Sequence, residues 1–355
     1  KLLCNFNYTV NWGDGLTENI ASGVEVIHVY DYDTIDNATI TTEGFKQAIV
    51  TITGNGNNMN GYVHLGRPAS LINCVNWLDL RISGENITSI LLPANYYSAF
   101  RLKKFIFLGH TYSGFTLYGP RSSQLKEFSI DYTNLSSLSF MFYNGASFDD
   151  MGDIISNATS ISYFMGGSYA RKLGNVTLQS ATNAAYAFNG CKIDEIGSID
   201  LRAAASTVGL FQSSSIKRVG DINITASASI AYGFWCPELI SPINLTTSSA
   251  LADCTYAFYT CGNVPEINIT DASGIATTTG MFAGCSRLSS LRLPGMLVSF
   301  SISSCNMGAA ALNTLFGDLA DLSALPTKTI TITGNPGAAT CNQAIATAKN
   351  WTVVS

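Results

Sequence analysis

The sequence predicts a mainly β protein. A solenoid of about ten coils with a parallel sheet is preceded by a small β-sandwich and closed by a β/α C-terminal cap. Three observations carry this. Phe142, Phe164, Phe188, Phe211, Phe234, Phe258 and Phe282 recur at spacings of 22, 24, 23, 23, 24 and 24 residues. Between them a second motif, apolar-x-x-apolar-x-apolar, keeps step. It ends in Val176-Thr177-Leu178, Ile199-Asp200-Leu201, Ile222-Asn223-Ile224, Ile243-Asn244-Leu245, Ile267-Asn268-Ile269 and Leu291-Arg292-Leu293. The composition is 46% hydrophobic and only 12% charged. No apolar run reaches the ~18–20 residues of a spanning helix, so this content reads as core.

Residues 1–54 form the first element. Tyr8 to Gly15 alternates and ends in a Gly13-Asp14-Gly15 turn; Val24 to Tyr30 and Gln47 to Thr53 read as two further strands. The Trp12-Gly13-Asp14-Gly15 run, His28-x-Tyr30 and the later Val50-Thr51-Ile52 resemble the PKD domain. That resemblance implies a β-sandwich acting as spacer or docking module, with its usual first strand missing. Asp31, Asp33 and Asp36 lack the glycine and terminal glutamate of an EF-hand and read as a solvated turn. The chain opens at Lys1, which points to a processed or trimmed start, and Lys1 to Cys4 is a poor lipoprotein box. Residues 55–76 read as a linker and N-terminal cap.

The solenoid occupies residues 77–300. Apolar-x-apolar is the alternation of a half-buried strand. A strand that short cannot bury its face alone, so coils must stack, each rising by ~4.8 Å. Weaker copies at Trp77 to Ile82, Leu102 to Phe107 and Leu125 to Ile130 extend the array upstream. Residues 301–355 close the stack: a helix with apolar residues at 312, 315, 316 and 319, a strand at Thr329 to Thr333, a short helix from Ala344 and a last strand from Trp351.

A repeat of about 23 residues lies in the leucine-rich range. Met281 to Pro294, with Tyr256 to Cys261 and Tyr186 to Cys191, resembles the BspA-type leucine-rich repeat. The run Thr331 to Cys341 with Lys349 to Val353 resembles the end of BspA-like proteins and of phage structural proteins. The resemblance implies a leucine-rich-repeat solenoid on a bacterial surface or a bacteriophage virion.

Nine cysteines form no Cys-x-x-Cys pair, and the three histidines, His28, His64 and His110, are scattered. Zinc is therefore not expected, and the odd count is no disulfide framework. Cys191, Cys261 and Cys285 lie three residues after an anchor Phe and Cys236 two after, the offset of a buried slot holding reduced thiols. A net charge of −5 with no basic run argues against nucleic acid. No nucleophile–base pair or phosphate loop is present, so neither an enzyme nor a cofactor is expected.

The candidate binding surface is the outward side of the strand ladder: Thr177, Asp200, Asn223, Asn244 and Asn268, then Thr225, Thr246 and Thr270. Gln179, Arg202 and Arg292 share this face by position. The expected function is non-enzymatic: a virion surface, tail-fibre or decoration protein of a bacteriophage, in assembly or host attachment, and extracellular. The expected partners are a host glycan or protein, neighbouring virion subunits, or a second copy. The alternatives are a bacterial cell-surface adhesin and a solenoid glycan-processing enzyme. Against the enzyme, Asp153, Asp200, Asp221 and Glu266 never pair in register between adjacent coils.

Overall fold

The computed structural model describes residues 2–36 and 151–355 continuously and, between them, the strands and a number of turn residues. It divides into two units, Lys1–Leu135 and Ser136–Ser355. The chain is mainly β, with parallel-sheet solenoid coils, about nine turns in all, and few helices.

In the first unit, Tyr8–Asn11 lies between Thr17–Ile20 and Thr51–Gly54 in an antiparallel sheet. Leu2–Cys4 pairs antiparallel with Gly61–Leu65, which continues in parallel to Ile87–Leu91 and Thr111–Tyr118. The weak repeat copies are strands in one parallel sheet, with Leu80, Phe105 and Phe128 in register.

One expected strand is absent. Val24 to Tyr30 forms no ladder beyond a single antiparallel bridge, Leu2 to Val26. The alternation there is nonetheless physical. The His28 ring stacks on Trp12 at 4.6 Å and its Nε2 lies 2.7 Å from Asp14 Oδ2, while Ile27 and Val29 face solvent at 62% and 83% exposure. Period two reports which side a segment buries, not whether a neighbouring backbone is there to pair with it. Asp31 Oδ1 accepts the N–H of Asp33, capping a short 3-10 turn at Tyr32–Thr34. Most of the expected linker and cap, residues 55–60 and 66–76, and Cys74 and His110, lie outside the described residues.

The second unit is built on a seven-stranded parallel sheet. Its strands are Ile154–Ile155, Val176–Thr177, Ile199–Asp200, Ile222–Asn223, Ile243–Thr246, Glu266–Ile269 and Ser290–Arg292. Facing it, the seven anchor phenylalanines form a continuous buried row. Their ring centroids step by 5.2 to 6.3 Å, about one coil each. Each such ring contributes roughly 1.5–3 kcal/mol by leaving water.

The cysteine slot is a hydrogen-bonding position. Cys236 donates to the Phe211 carbonyl, Cys261 to that of Phe234 and Cys285 to that of Phe258, each from the following coil. In earlier coils Ser168 and Ser214 do the same for Phe142 and Phe188. The carbonyls of Phe188, Phe211, Phe234 and Phe258 already accept a backbone N–H of their own turn, and the small donor adds a second hydrogen bond without adding bulk. Every cysteine among the described residues is free, and burial pushes the Cys191 and Cys261 thiols up to about 12.

A second parallel sheet covers only the earlier coils: Ser147–Asp150, Tyr169–Leu173, Lys192–Ile196 and Arg218–Val219. Its outer surface alternates in sign from coil to coil, Asp150, Lys172, Glu195 and Arg218 being in register. Arg171 pairs with Asp149 at 2.6 Å, Lys217 with Asp194 at 2.6 Å and Arg218 with Glu195 at 3.1 Å.

The C-terminal residues form the expected helices and strands. Helix α1, Ala309–Asp318, buries Leu312, Leu315 and Phe316, and Leu319 follows it into the core. The strands Phe300–Ser301, Lys328–Thr331 and Trp351–Val354 make a parallel sheet beside α2, Ala344–Thr347. Lys349 Nζ donates to the carbonyls of Phe316, Gly317 and Leu319, closing the C-terminal end of α1 with a cation where the helix dipole favours one. Asp318 takes both Nε and Nη2 of Arg292, tying the last coil to the cap.

Candidate functional site

Strand alternation places the residues on either side of each buried Ile on the outer face, in two parallel files. The register of Val176 to Ile199 to Ile222 sets Thr177, Asp200 and Asn223 side by side. The next strand pairs Asn223 with Thr246, not with Asn244. The expected file through Asn223, Asn244 and Asn268 therefore steps by two residues between Asn223 and Asn244. Such a step keeps Ile243 and Leu245 inward, since a shift of two leaves every side chain on its own face.

Asn244 belongs to the other file, which begins with Asp153, Asn175, Ser198 and Asp221. The side chains of that file are linked along it. Asp153 Oδ1 accepts the Asn175 N–H, and Asn175 Oδ1 accepts the Ser198 N–H. Asn244 Nδ2 donates to Asp221 Oδ1 and Asn268 Nδ2 to Asn244 Oδ1, each at 2.9 Å. Arg292 follows Asn268 in register and turns to Asp318.

A shallow open groove runs between the two files. Thr177, Asp200, Asn223 and Thr246 line one side, Asn175, Ser198 and Asp221 the other, and Ile199 and Ile222 contribute to it from the strands between them. Of the eight sequence-predicted residues, four thus line one groove. Asn244 and Asn268 continue the opposite file. Thr225 bonds Asn223 through its N–H and hydroxyl, and Thr270 accepts the N–H of Thr247. The sequence reading missed Asn175, Ser198 and Asp221, which precede the buried residue of each strand. The same period-two rule that singled out Thr177 points to them equally.

The electrostatics are local. Arg202 and then Gln179 hydrogen-bond the Asp200 carboxylate and hold its pKa below the usual value, against the opposing effect of burial. Asp221 is engaged by Asn244. What remains on offer is a set of amides and hydroxyls on a regular backbone, suited to hydrogen bonding rather than proton transfer. Among the described residues no group of three His, Cys, Asp or Glu could hold a metal ion, and no helix is long and apolar enough to cross a membrane. Comparison of the chain with protein-family models, characterised proteins and solved structures finds no match.

Proposed function

We propose that this chain is a non-enzymatic attachment protein of the bacteriophage virion surface, a tail-fibre or decoration subunit that binds a host or virion partner through its strand face. The observation that supports it most is the polar groove laid over a seven-stranded sheet. A rigid surface loses little conformational freedom on binding, and weak contacts repeated over many copies gain avidity. The carboxylates at the groove are occupied by Arg202, Gln179 and Asn244, which favours recognition over acid–base chemistry. The phage setting rests on the BspA-type leucine-rich-repeat resemblance of Met281 to Pro294, the phage-like ending and the PKD-like start.

The test replaces Asn223 and Thr246 together by Lys in the full chain and measures adsorption to host cells. The expected outcome is at least about a tenfold loss, ~1.4 kcal/mol. Undiminished adsorption of the folded variant rejects this face. Mass spectrometry of purified virions decides the setting: the chain in the particle supports the phage reading, the chain on the bacterial envelope supports the adhesin instead.

A further inference from the structure

One position in the repeat carries an unexplained backbone preference. Just before the anchor phenylalanine, six successive coils hold a residue in the left-handed region: Tyr163 (φ 53°), Tyr186 (59°), Gly209 (61°), Tyr232 (55°), Tyr256 (50°) and Gly280 (60°). Side chains are disfavoured there and glycine is not. Two coils use glycine, so the turn itself needs no side chain. The others carry tyrosine.

The row reads Tyr, Tyr, Gly twice. Tyr163 stacks on Tyr186 at 5.2 Å and 12°, and Tyr232 on Tyr256 at 5.4 Å and 22°. Glycine makes room for the second ring of each pair. A Cβ on Gly209 would sit 2.4 Å from Tyr186 Cε1, and one on Gly280 2.3 Å from Tyr256 Cε1. In the second set the stack is widened edge-on by Tyr259, against Tyr256 at 5.4 Å, and by Trp235, against Tyr259 at 5.4 Å.

Four aromatic residues from two adjacent coils thus share one patch, none of them in the buried core. Tyr232 is 37% exposed. Among the described residues, no hydrogen bond engages the hydroxyls of Tyr232, Tyr256 and Tyr259 or the indole N–H of Trp235. The patch combines rigid rings, unpaired polar tips and no formal charge.

We propose that Tyr232, Trp235, Tyr256 and Tyr259 form a binding site for a neutral saccharide chain. A sugar offers C–H faces to aromatic rings and hydroxyls to the phenol and indole tips. The step of 5.4 Å between stacked rings is close to the rise of one residue in an extended β-linked glycan. A charged ligand would meet no opposite charge among the four. Tyrosine and tryptophan supply this contact area at low entropic cost. The site lies on the turns that flank the anchors Phe234 and Phe258, not on the strands of the polar groove. It adds a ligand class to the attachment reading and rests on that reading only for its biological role.

The test uses the full chain with cellohexaose and chitohexaose as probes, followed by titration calorimetry. Binding of at least one hexasaccharide is expected, weakened tenfold or more in Tyr232→Gly/Tyr256→Gly. That variant installs the residue that Gly209 and Gly280 already supply, so the turns are preserved. Asn223→Lys/Thr246→Lys should bind the sugar as the parent does. If the glycine variant loses its fold, Trp235→Ala carries the same expectation. The proposal is overturned if neither hexasaccharide binds the parent chain or if the folded aromatic variants bind undiminished. Sugar binding with adsorption unaffected by the groove variant would reject the groove and leave this site standing; the reverse would reject this site alone.

Discussion

The coils between residues 147 and 223 and those between 243 and 292 solve one packing problem in two ways. In the earlier set, 11 or 12 residues separate the anchor Phe from the first inward residue of its ladder strand; in the later set the separation is 9, as from Phe258 to Ile267. The longer arm has room for a second strand, and a four-stranded charged sheet results. The shorter arm has none, and Pro237, Pro242 and Pro265 stand along it, each lacking the N–H that a ladder requires. The phenylalanine row crosses the change undisturbed, at 5.4 Å from Phe211 to Phe234 and 5.3 Å from Phe234 to Phe258. The difference teaches that the core row and the ladder strand define the coil. The arm is an accessory whose length decides what covers it, and the two-residue step in register falls where the arm shortens.

The largest expected effect tests that claim at the junction. Phe234→Ala removes the ring shared by both sets and should cost about 3–5 kcal/mol in denaturant unfolding. The loss should spread in both directions, because coils are stabilised by their neighbours. An unchanged midpoint would mean that the two sets do not share a core.

The slot below the anchor gives the next largest effect. Serine serves Phe142 and Phe188, cysteine serves Phe211, Phe234 and Phe258. Cys261→Ser should therefore be tolerated, whereas Cys261→Val, which cannot donate, should cost ~0.5–1.5 kcal/mol by removing one of the two hydrogen bonds to the Phe234 carbonyl, which keeps the Cys236 N–H. Equal stability of the two variants would remove the hydrogen bond from the account.

The cysteine coils should also be the alkali-sensitive ones. The folded Cys261 thiol holds its proton up to about 12, against an ordinary value of 9.0. Between those values the native state binds more protons than the unfolded one, so stability falls as pH rises. The contribution is complete below pH 9.0 and lost as pH approaches about 12. Unfolding followed across that window should show a shallower decline in Cys261→Ser than in the parent chain.

The smallest effect belongs to the charged sheet. Arg218 and Glu195 are 58% and 48% exposed, so Arg218→Ala should cost no more than ~1 kcal/mol, less at high salt. A larger loss would make the second sheet a support of the earlier coils rather than their covering.

Much of this was legible in the chain. The Phe spacing and the apolar-x-apolar motif located the row and the ladder, and the weak copies near Leu80, Phe105 and Phe128 proved to be paired strands. The pattern of residues 312, 315, 316 and 319 located α1 and its buried side. The segment Val24 to Tyr30 shows the limit: its alternation is real, yet no strand lies beside it beyond one bridge.

Periodicity is a local property of the chain, and by itself it determined which residues are buried, the coil as the unit of stacking and the outward polar faces. Register is not local. That Asn223 meets Thr246 while Asn244 meets Asp221 depends on how far each arm travels before returning to the sheet. The division of the polar face into two files, the groove between them, the sign-alternating sheet and the tyrosines lying over Gly209 and Gly280 are all relations between neighbouring coils. Only the tertiary structure decided them, because hydrogen-bond pairing and steric contact across ~4.8 Å join residues more than twenty positions apart in the chain.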